Sequence, residues 1–477
     1  MPPKILTQIS PQLAFMISAV VIAIMGVTMI GFGWVPHLSL ILAICVLLGI
    51  GLFKGLTFDD MQAQMASGVM RGIGAIYLFF FIGLMVAALM MSGAIPTLMY
   101  FGFQLISPEY YYISAFVLTS IIGIALGSSL TTAATLGVAF IGMSNAFDAN
   151  VAIAAGAVVS GAFFGDKMSP LSDTCTIASS VVGIDLFEHI RNMMYTTVPA
   201  WILTVILFWF FSGQTAGSDL SQVRVLQGQL IESGLVHGYA VLPFVVLVGL
   251  AIFRVNAIYT IICTIAAALI ITYLHSSPSF GQLGGYLFAG YAPAESLELG
   301  EVGGMLSRGG VQSMFFTQAI VILALSLGGL LTALGILPAL LSGIKDNLTT
   351  AGRAIFAAAM SALSINVLIG EQYLSILLSG TAFRPTFERL NLHPKNLSRT
   401  IEDAGTVINP LVPWSVCGVF ISQALGVPVL DYLPYAFFCY LSLLLTILFG
   451  FTGVTISRIQ THQTHKKTIM SDSAPMG

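Results

Sequence analysis

Along the chain, long apolar runs alternate with short polar breaks, and the lengths of the runs carry the first information. Runs matching one bilayer crossing, about 17–25 residues, fall near 13–33, 36–53, 74–92, 194–212, 238–253, 256–274, 315–337 and 430–453. Each predicts a membrane-spanning helix. Two regions, 110–142 and 354–380, are interrupted by Gly127-Ser128-Ser129 and by Asn366 to Glu371. Two more, 150–183 and 400–425, are interrupted by polar stretches holding Asp166 to Thr174 and Glu402 to Pro413. Backbone groups freed by such breaks survive in a bilayer only where protein or a wet cavity satisfies them. The pattern therefore predicts an all-α polytopic membrane protein whose broken helices meet at a polar centre.

Whether 110–142 and 354–380 cross the membrane or turn back within it is decided by the distribution of basic residues, which favours the cytoplasmic side. As re-entrant hairpins they leave about five crossings in each half. Lys4, Lys54, Arg71, Arg191, Arg254, Lys345, Arg353, Arg384, Arg389, Lys395, Arg399, Arg458, Lys466 and Lys467 then lie inside, fourteen against Arg224 and Arg308 outside. As full crossings they give 12 against 4. Hairpins are favoured, with both termini cytoplasmic.

An odd number of crossings makes the second half enter from the opposite face, the inverted-repeat plan of secondary transporters. Asp166 and Asp403, Ser129 and Asn366, and Arg71-Gly72 and Arg308-Gly309 each lie 237 positions apart, and the G-x-x-P endings at Pro96 and Pro338 lie 242 apart. The expected organisation is a first repeat at 1–212, an external linker at 213–236, a second repeat at 237–455 and a loose cytoplasmic tail at 456–477. Each repeat holds about five crossings, a re-entrant hairpin and a broken helix.

Composition fits that picture: 57% of residues are hydrophobic and 8% charged, where soluble domains carry about 25% charged residues. The first apolar run is too long for a signal-peptide core and lacks a cleavage pattern, so it reads as a retained span. With no nucleotide-binding motif, transport on this chain would draw on ion gradients. Cys45, Cys175, Cys263, Cys417 and Cys439 lack paired spacing and read as small core residues. The seven histidines, among them His189, His462 and His465, show no metal-like spacing. The run from Ile184 to Arg191 reads as an interfacial turn. No nucleophile–base constellation suggests an enzyme.

Ionisable and hydroxyl groups inside apolar segments are costly, and they mark substrate or ion routes. Ser128, Ser129, Thr131 and Thr132, with Thr135 a turn later, offer the oxygen ligands that hard cations take; the alternative is packing between helices or bonding back to the backbone. In the first broken helix the candidates are Asp166, Lys167, Ser169, Asp173 and Thr174. Asp173 is the expected exchanging carboxylate, with Asp166 second: burial favours its protonated form and a bound Na+ its ionised form. Lys167 reads as a counter-charge that keeps the empty site neutral, or as half of a structural ion pair. In the second half the candidates are Asn366, Glu371, Asp403, Thr406 and Asn409. Glu402, preceded by polar Pro394 to Arg399, is open between a site residue and a solvated acid. For Na+ itself the expected ligands are Asp173, Ser129 and Asp403.

The run Ser160-Gly161-Ala162-Phe163-Phe164-Gly165-Asp166-Lys167-Met168-Ser169-Pro170-Leu171-Ser172-Asp173-Thr174, followed by Gly183-Ile184-Asp185-Leu186-Phe187-Glu188-His189-Ile190, resembles the signature of NhaC-type Na+/H+ antiporters. That resemblance extends over essentially the whole chain. It implies a bacterial inner-membrane antiporter with two hairpins and inverted repeats, exchanging Na+ for H+ by alternating access. The same family includes malate/lactate antiporters coupled to Na+ and H+, which is the alternative. Lys167 is the single cation expected at membrane depth, which tilts the balance to a cation substrate. The partners implied are Na+, H+ and the lipid bilayer, with a homodimer left open, no nucleic acid and no cofactor.

Overall fold

A computed structural model describes residues 5–144, 146–212, 220–293, 299–343 and 348–459. Among them no β-strand forms, and strand-like pairing is confined to two isolated bridges, Tyr291 with Arg308 and Leu392 with Arg458. The first half contains α1 Pro11–Gly26, α2 Pro36–Phe53, α3 Phe58–Arg71, α4 Ile73–Met91, α5 Ala94–Leu105, α6 Tyr111–Leu126, α7 Ser129–Thr132, α8 Val138–Ser144, α9 Val151–Met168, α10 Asp173–Val182 and α11 Leu186–Ser212. Next come α12 Leu220–Glu232, α13 Leu242–Ile252, α14 Ala257–His275, α15 Phe280–Ala289, α16 Gly300–Leu306, α17 Val311–Ala333 and α18 Ile336–Ser342. The chain closes with α19 Ala351–Ile369, α20 Gln372–Arg389, α21 Pro394–Gly405, α22 Val416–Leu425, α23 Val429–Tyr432 and α24 Phe437–Thr452. Among the described residues eight helices are long and apolar enough to cross a membrane, or up to eleven if each of three bent pairs is one crossing.

Both interrupted regions are helical hairpins. Tyr111 Oη at the base of α6 donates to the Phe140 carbonyl of α8, so the arms run back along each other from a turn at Gly127. In the second hairpin Ser375 Oγ of α20 donates to the Ala362 carbonyl of α19 at 2.5 Å, and Gly370 makes the turn. Gly127 and Gly370 have φ of 64° and 76°, a conformation that costs other residues roughly 1–2 kcal/mol. Neither has room for a side chain: a Cβ at Gly127 would lie 2.6 Å from Leu171 Cβ, and one at Gly370 would lie 3.0 Å from Ser415 Cα. Each tip is thus seated on a broken helix, the first on the α9–α10 break and the second on the α21–α22 break.

Backbone caps in the two halves recur at a spacing different from that of the side-chain echoes. Gly127 and Gly370 at the tips, Ser172 and Ser415 as hydroxyl N-caps of α10 and α22, and Gly183 and Gly426 at their ends all stand 243 positions apart (370 less 127, 415 less 172, 426 less 183). The spacing of 237 between Asp166 and Asp403 is six short of this. At the capped register Asp166 corresponds to Asn409, and Ser129 to Gln372. Small polar residues are frequent enough in membrane helices to align by coincidence, whereas a cap is tied to where the backbone turns.

Several segments differ from expectation. Gly238–Ile252 is 15 residues and is shorter than one crossing. The last crossing bends by 56° ahead of Phe437, where Pro434 lacks the N–H that a continuous helix needs. The polar stretch 58–71 forms α3, capped by the Thr57 side chain. The expected linker contains α12, while residues 213–219 lie outside those described. Ile184 to Arg191 is no separate turn: Asp185 Oδ1 accepts from the Phe187 and Glu188 amides and starts the 27-residue α11. Ser457 and Ile459, expected in a loose tail, bond to the backbone and side chains of 391–396. The rest of the tail from residue 460, with His462, His465, Lys466 and Lys467, lies outside the described residues, as do Lys4 and Lys345. Cys175, Cys417 and Cys439 are buried as expected, whereas Cys45 and Cys263 are exposed.

Candidate ion-binding site

Small residues place the first half of the site. On α9, a Cβ at Gly165 would lie 2.4 Å from Gly123 Cα of α6, and one at Gly161 would lie 2.0 Å from Thr119 Oγ1. This four-residue spacing lets the helix backbones touch, as small residues do in membranes. α9 ends at Met168 because Ser169, preceding Pro170, is extended (φ −90°, ψ 130°). Asp166 and Lys167 therefore occupy the last turn before the break, opposite the tip of the first hairpin.

Ser129 Oγ donates to Asp166 Oδ2 at 2.8 Å. The Ser129 amide and the Ser172 hydroxyl also face this carboxylate, which is 5% exposed. The remaining tip hydroxyls have local duties. Ser128 Oγ caps α7 by accepting from the Thr131 amide, and Thr131 Oγ1 bonds to it at 3.1 Å. Thr132 and Thr135 return to carbonyls four residues back. Ser169 Oγ accepts from the Leu171 amide beneath Gly127, and Thr174 Oγ1 pairs with Ser172 Oγ at 2.9 Å.

Lys167 forms a fully buried ion pair with Asp403 of α21. Its Nζ also donates to Ser442 Oγ at 2.7 Å, and Ser442 donates to Asp403 Oδ1 at 2.9 Å. Thr446 and, at 3.1 Å, Thr196 donate to Asp403 Oδ2. The roughly four lone-pair positions of the carboxylate are thereby taken. Arg399 is buried as well, with Nη1 on Thr455 at 3.0 Å, so Lys167 is not alone as a cation inside the protein.

At the second tip Asn409 plays the part that Asp166 plays at the first. Its Nδ2 donates to Asn366 Oδ1 at 2.6 Å and to the Gly370 carbonyl at 3.3 Å, and its Oδ1 accepts from the Cys417 amide. Asn366 Nδ2 reaches the Gly405 carbonyl of α21 at 2.5 Å. Glu371 caps α20 through the Leu374 amide at 2.7 Å. It borders a cavity of about 30 Å³ that also touches Leu130, Gln372, Tyr373 and Val416, so the two tips share one small space. One or two waters, or a partly dehydrated small ion, fill such a volume. Thr406 is buried on the α21 side of the break, beside Glu402.

Asp173 stands apart from these buried groups. It is the first residue of α10 and is exposed, with Thr176 and Ser180 exposed at helical spacing below it. Elsewhere the outward residues of crossing helices are large and apolar, such as Phe15, Trp209, Ile270 and Leu444. α20 packs on α10 and exposes Thr381, Arg384 and Glu388, the last two paired at 3.1 Å. Polar groups exposed at the depth of a helix break face water rather than lipid. Taken as the walls of a groove, the exposed faces of the two helices, with Leu377 the apolar residue among them, run from the Arg384 end to the break holding Asp173.

Glu402 is not a solvated acid. It is fully buried, as is every residue from Asn396 to Gly405. The polar character of α21 is matched from outside, with Ser398 on His189, Asn396 on Ser457 and Arg399 on Thr455. Sequence reasoning also passed over His189, Thr196, Ser442 and Thr446. Hydroxyls in apolar helices were the available signal for the last three, and for His189 the signal was its place in the run from Gly183 to Ile190.

The Na+/H+ antiporter family model matches residues 161–454, which include both breaks and the second tip. The Na+/H+ antiporter NhaC of Alkalihalophilus pseudofirmus is 39% identical over 89% of this chain and 92% of its own length. NhaC of Bacillus subtilis is 37% identical over 87% and 92%. The malate-2H+/Na+-lactate antiporter of Bacillus subtilis is 30% identical over 86% of this chain and 87% of its own. With matches of this extent along a polytopic helical chain, the protein belongs to the Na+/H+ antiporter family.

Proposed function

We propose that this protein exchanges Na+ for H+ across the bacterial inner membrane, by alternating access between two inverted halves. The observation that carries the reading is Asp166: a buried carboxylate at a helix break, held by a hydroxyl from a hairpin tip, at the inner end of a polar groove. A bare charge there is expensive. The carboxylate is therefore served by a cation or by a proton, one at a time, and this competition on one site is antiport. Ser129 and Ser172 add oxygen ligands suited to Na+. Asp173, exposed above them, draws cations along the groove. Asp403 acts as the counter-charge of Lys167 and leaves Na+ to the Asp166 group. The 243-residue register of the caps supports the repeat, and the two tips then belong to opposite halves that close in turn.

A cation substrate is favoured over malate by the engagement of Lys167 with Asp403, which leaves that ammonium paired rather than free for an organic anion. Purified protein in acid-loaded liposomes tests this directly. External Na+, but not choline, is expected to alkalinise the interior, and Asp166→Asn to abolish the response while the protein still inserts. Wild-type exchange by that variant would remove Asp166 from its role. A response requiring malate outside and lactate inside would replace Na+/H+ exchange with organic-acid exchange.

A further inference from the structure

Beside the proposed ion route, three side chains from different elements converge: Cys175 on α10, His189 on α11 and Glu402 on α21. One donor atom from each lies within 4.8 Å of the others, all three residues are buried, and this is the one such group among the described residues. Hydrogen bonds define its sense. Ser398 Oγ gives its single proton to the Lys395 carbonyl at 2.9 Å. With that proton so engaged, it accepts across its 2.8 Å contact with His189 in the Nδ1–H tautomer. That puts the imidazole hydrogen on Nδ1 and a lone pair on Nε2, which has no partner. Neither oxygen of Glu402 has a partner at full hydrogen-bond geometry, although the Thr174 and Thr406 hydroxyls face the carboxylate. Buried acceptors left facing one another call for a cation or a proton between them. The Cys175 sulfur, 3.3 Å from the Lys167 carbonyl, completes the group.

We propose that Cys175, His189 and Glu402 bind a borderline divalent cation of the Zn2+ class. Sulfur, imidazole nitrogen and carboxylate oxygen are the donors this class takes, with a fourth position left to water. Na+, a hard cation, is poorly served by sulfur and nitrogen. Thiolate and carboxylate together balance a double charge, so the occupied site is neutral at membrane depth. Ser398 supplies the hydrogen bond that orients a metal-binding histidine. Cys175 and His189 belong to the first half and Glu402 to the second, so a bound ion ties the halves together and holds the exchanger in one conformation. This last consequence rests on the alternating-access reading; the binding itself does not.

The test starts with chelator-stripped, full-length protein in detergent dialysed against ZnCl2, with bound metal counted. Wild type is expected to hold one Zn2+ that near-isosteric Cys175→Ser and His189→Gln weaken more than about tenfold, and Ser398→Ala by about 10–100-fold, as loss of an orienting partner does. Co2+ in place of Zn2+ should show a sulfur-to-metal absorption band that Cys175→Ser removes. Cys45→Ser/Cys263→Ser, which clears the exposed thiols, should bind as wild type does. No bound metal in wild type, or binding indifferent to both Cys175→Ser and Ser398→Ala, overturns the site and leaves the two acceptors sharing a proton. In liposomes, Zn2+ is expected to slow whatever exchange the wild type performs, with release by chelator and resistance in Cys175→Ser. Binding without inhibition keeps the site and overturns the tie between halves.

Discussion

At the scale of single residues the heaviest electrostatic demand falls on Lys167 and Asp403, both without solvent exposure. Taking two charges out of water is repaid only when each finds a partner and its remaining hydrogen bonds, as Ser442, Thr446 and Thr196 provide here. Removing one partner leaves the other charge stranded, which costs roughly 3–5 kcal/mol. Asp403→Asn is therefore expected to lower the thermal unfolding midpoint in detergent sharply, and Lys167→Met/Asp403→Asn to recover most of the loss. A double variant no more stable than the single one would show that the stranded ammonium is not the cause. Lys167 was legible in the sequence as a counter-charge because an isolated lysine in an apolar run needs one. Its partner was not, since Asp403 lies far along the chain and nothing local to either residue names the other. The different settings of Asp173 and Asp166 were not legible for a related reason: the sequence puts both in one polar stretch, but the N-cap at Ser172 leaves Asp173 exposed at the start of α10 while Asp166 is turned inward.

Among elements, the contact of α6 with α9 sets the geometry of the site, because α6 carries the hairpin tip and α9 ends in Asp166. Gly165→Ala puts a methyl 2.4 Å from Gly123 Cα, a backbone atom that cannot rotate away. The helices must separate, and Ser129 moves off Asp166. A hydrogen bond to a charged group contributes about 1.5–3 kcal/mol, so the Na+ concentration for half-maximal exchange should rise at least about tenfold. Gly249→Ala on α13, where nothing lies within 4 Å, should leave that concentration unchanged. Equal effects from both would mean the close approach does not position the tip. The breaks themselves were readable, because Gly127, Gly370, Pro170 and Pro410 interrupt helices by backbone chemistry that survives any packing. The spacing of 243 between the caps was not, since the eye pairs Asp with Asp, whereas the caps pair Ser172 with Ser415, and Asp166 lies at one tip as Asn409 lies at the other.

For the whole molecule the central matter is the direction in which the groove opens. Asp173, Thr176 and Ser180 share its wall with Thr381, Arg384 and Glu388, and Arg191, Arg389 and Lys395 follow at the same end of these helices. An excess of basic residues marks a cytoplasmic face, so the conformation seen is expected to be open inward. Sequence cannot state this, because a chain that alternates between two conformations encodes both, and their difference in free energy is small beside the total stability. Chemical access can. With Cys45 and Cys263 changed to serine, Thr176→Cys and Ser180→Cys should react with a membrane-impermeant maleimide in inside-out vesicles and only weakly in right-side-out ones. Ala178→Cys, on the buried face of the same helix, should stay silent in both. If the groove leads to the Asp166 site, Na+ should change the rate at positions 176 and 180 by shifting the population between open and closed forms, and Asp166→Asn should erase that sensitivity while leaving the residues reachable. Equal labelling from both sides would make the groove a through-pore, and labelling of neither cysteine would place α10 against lipid.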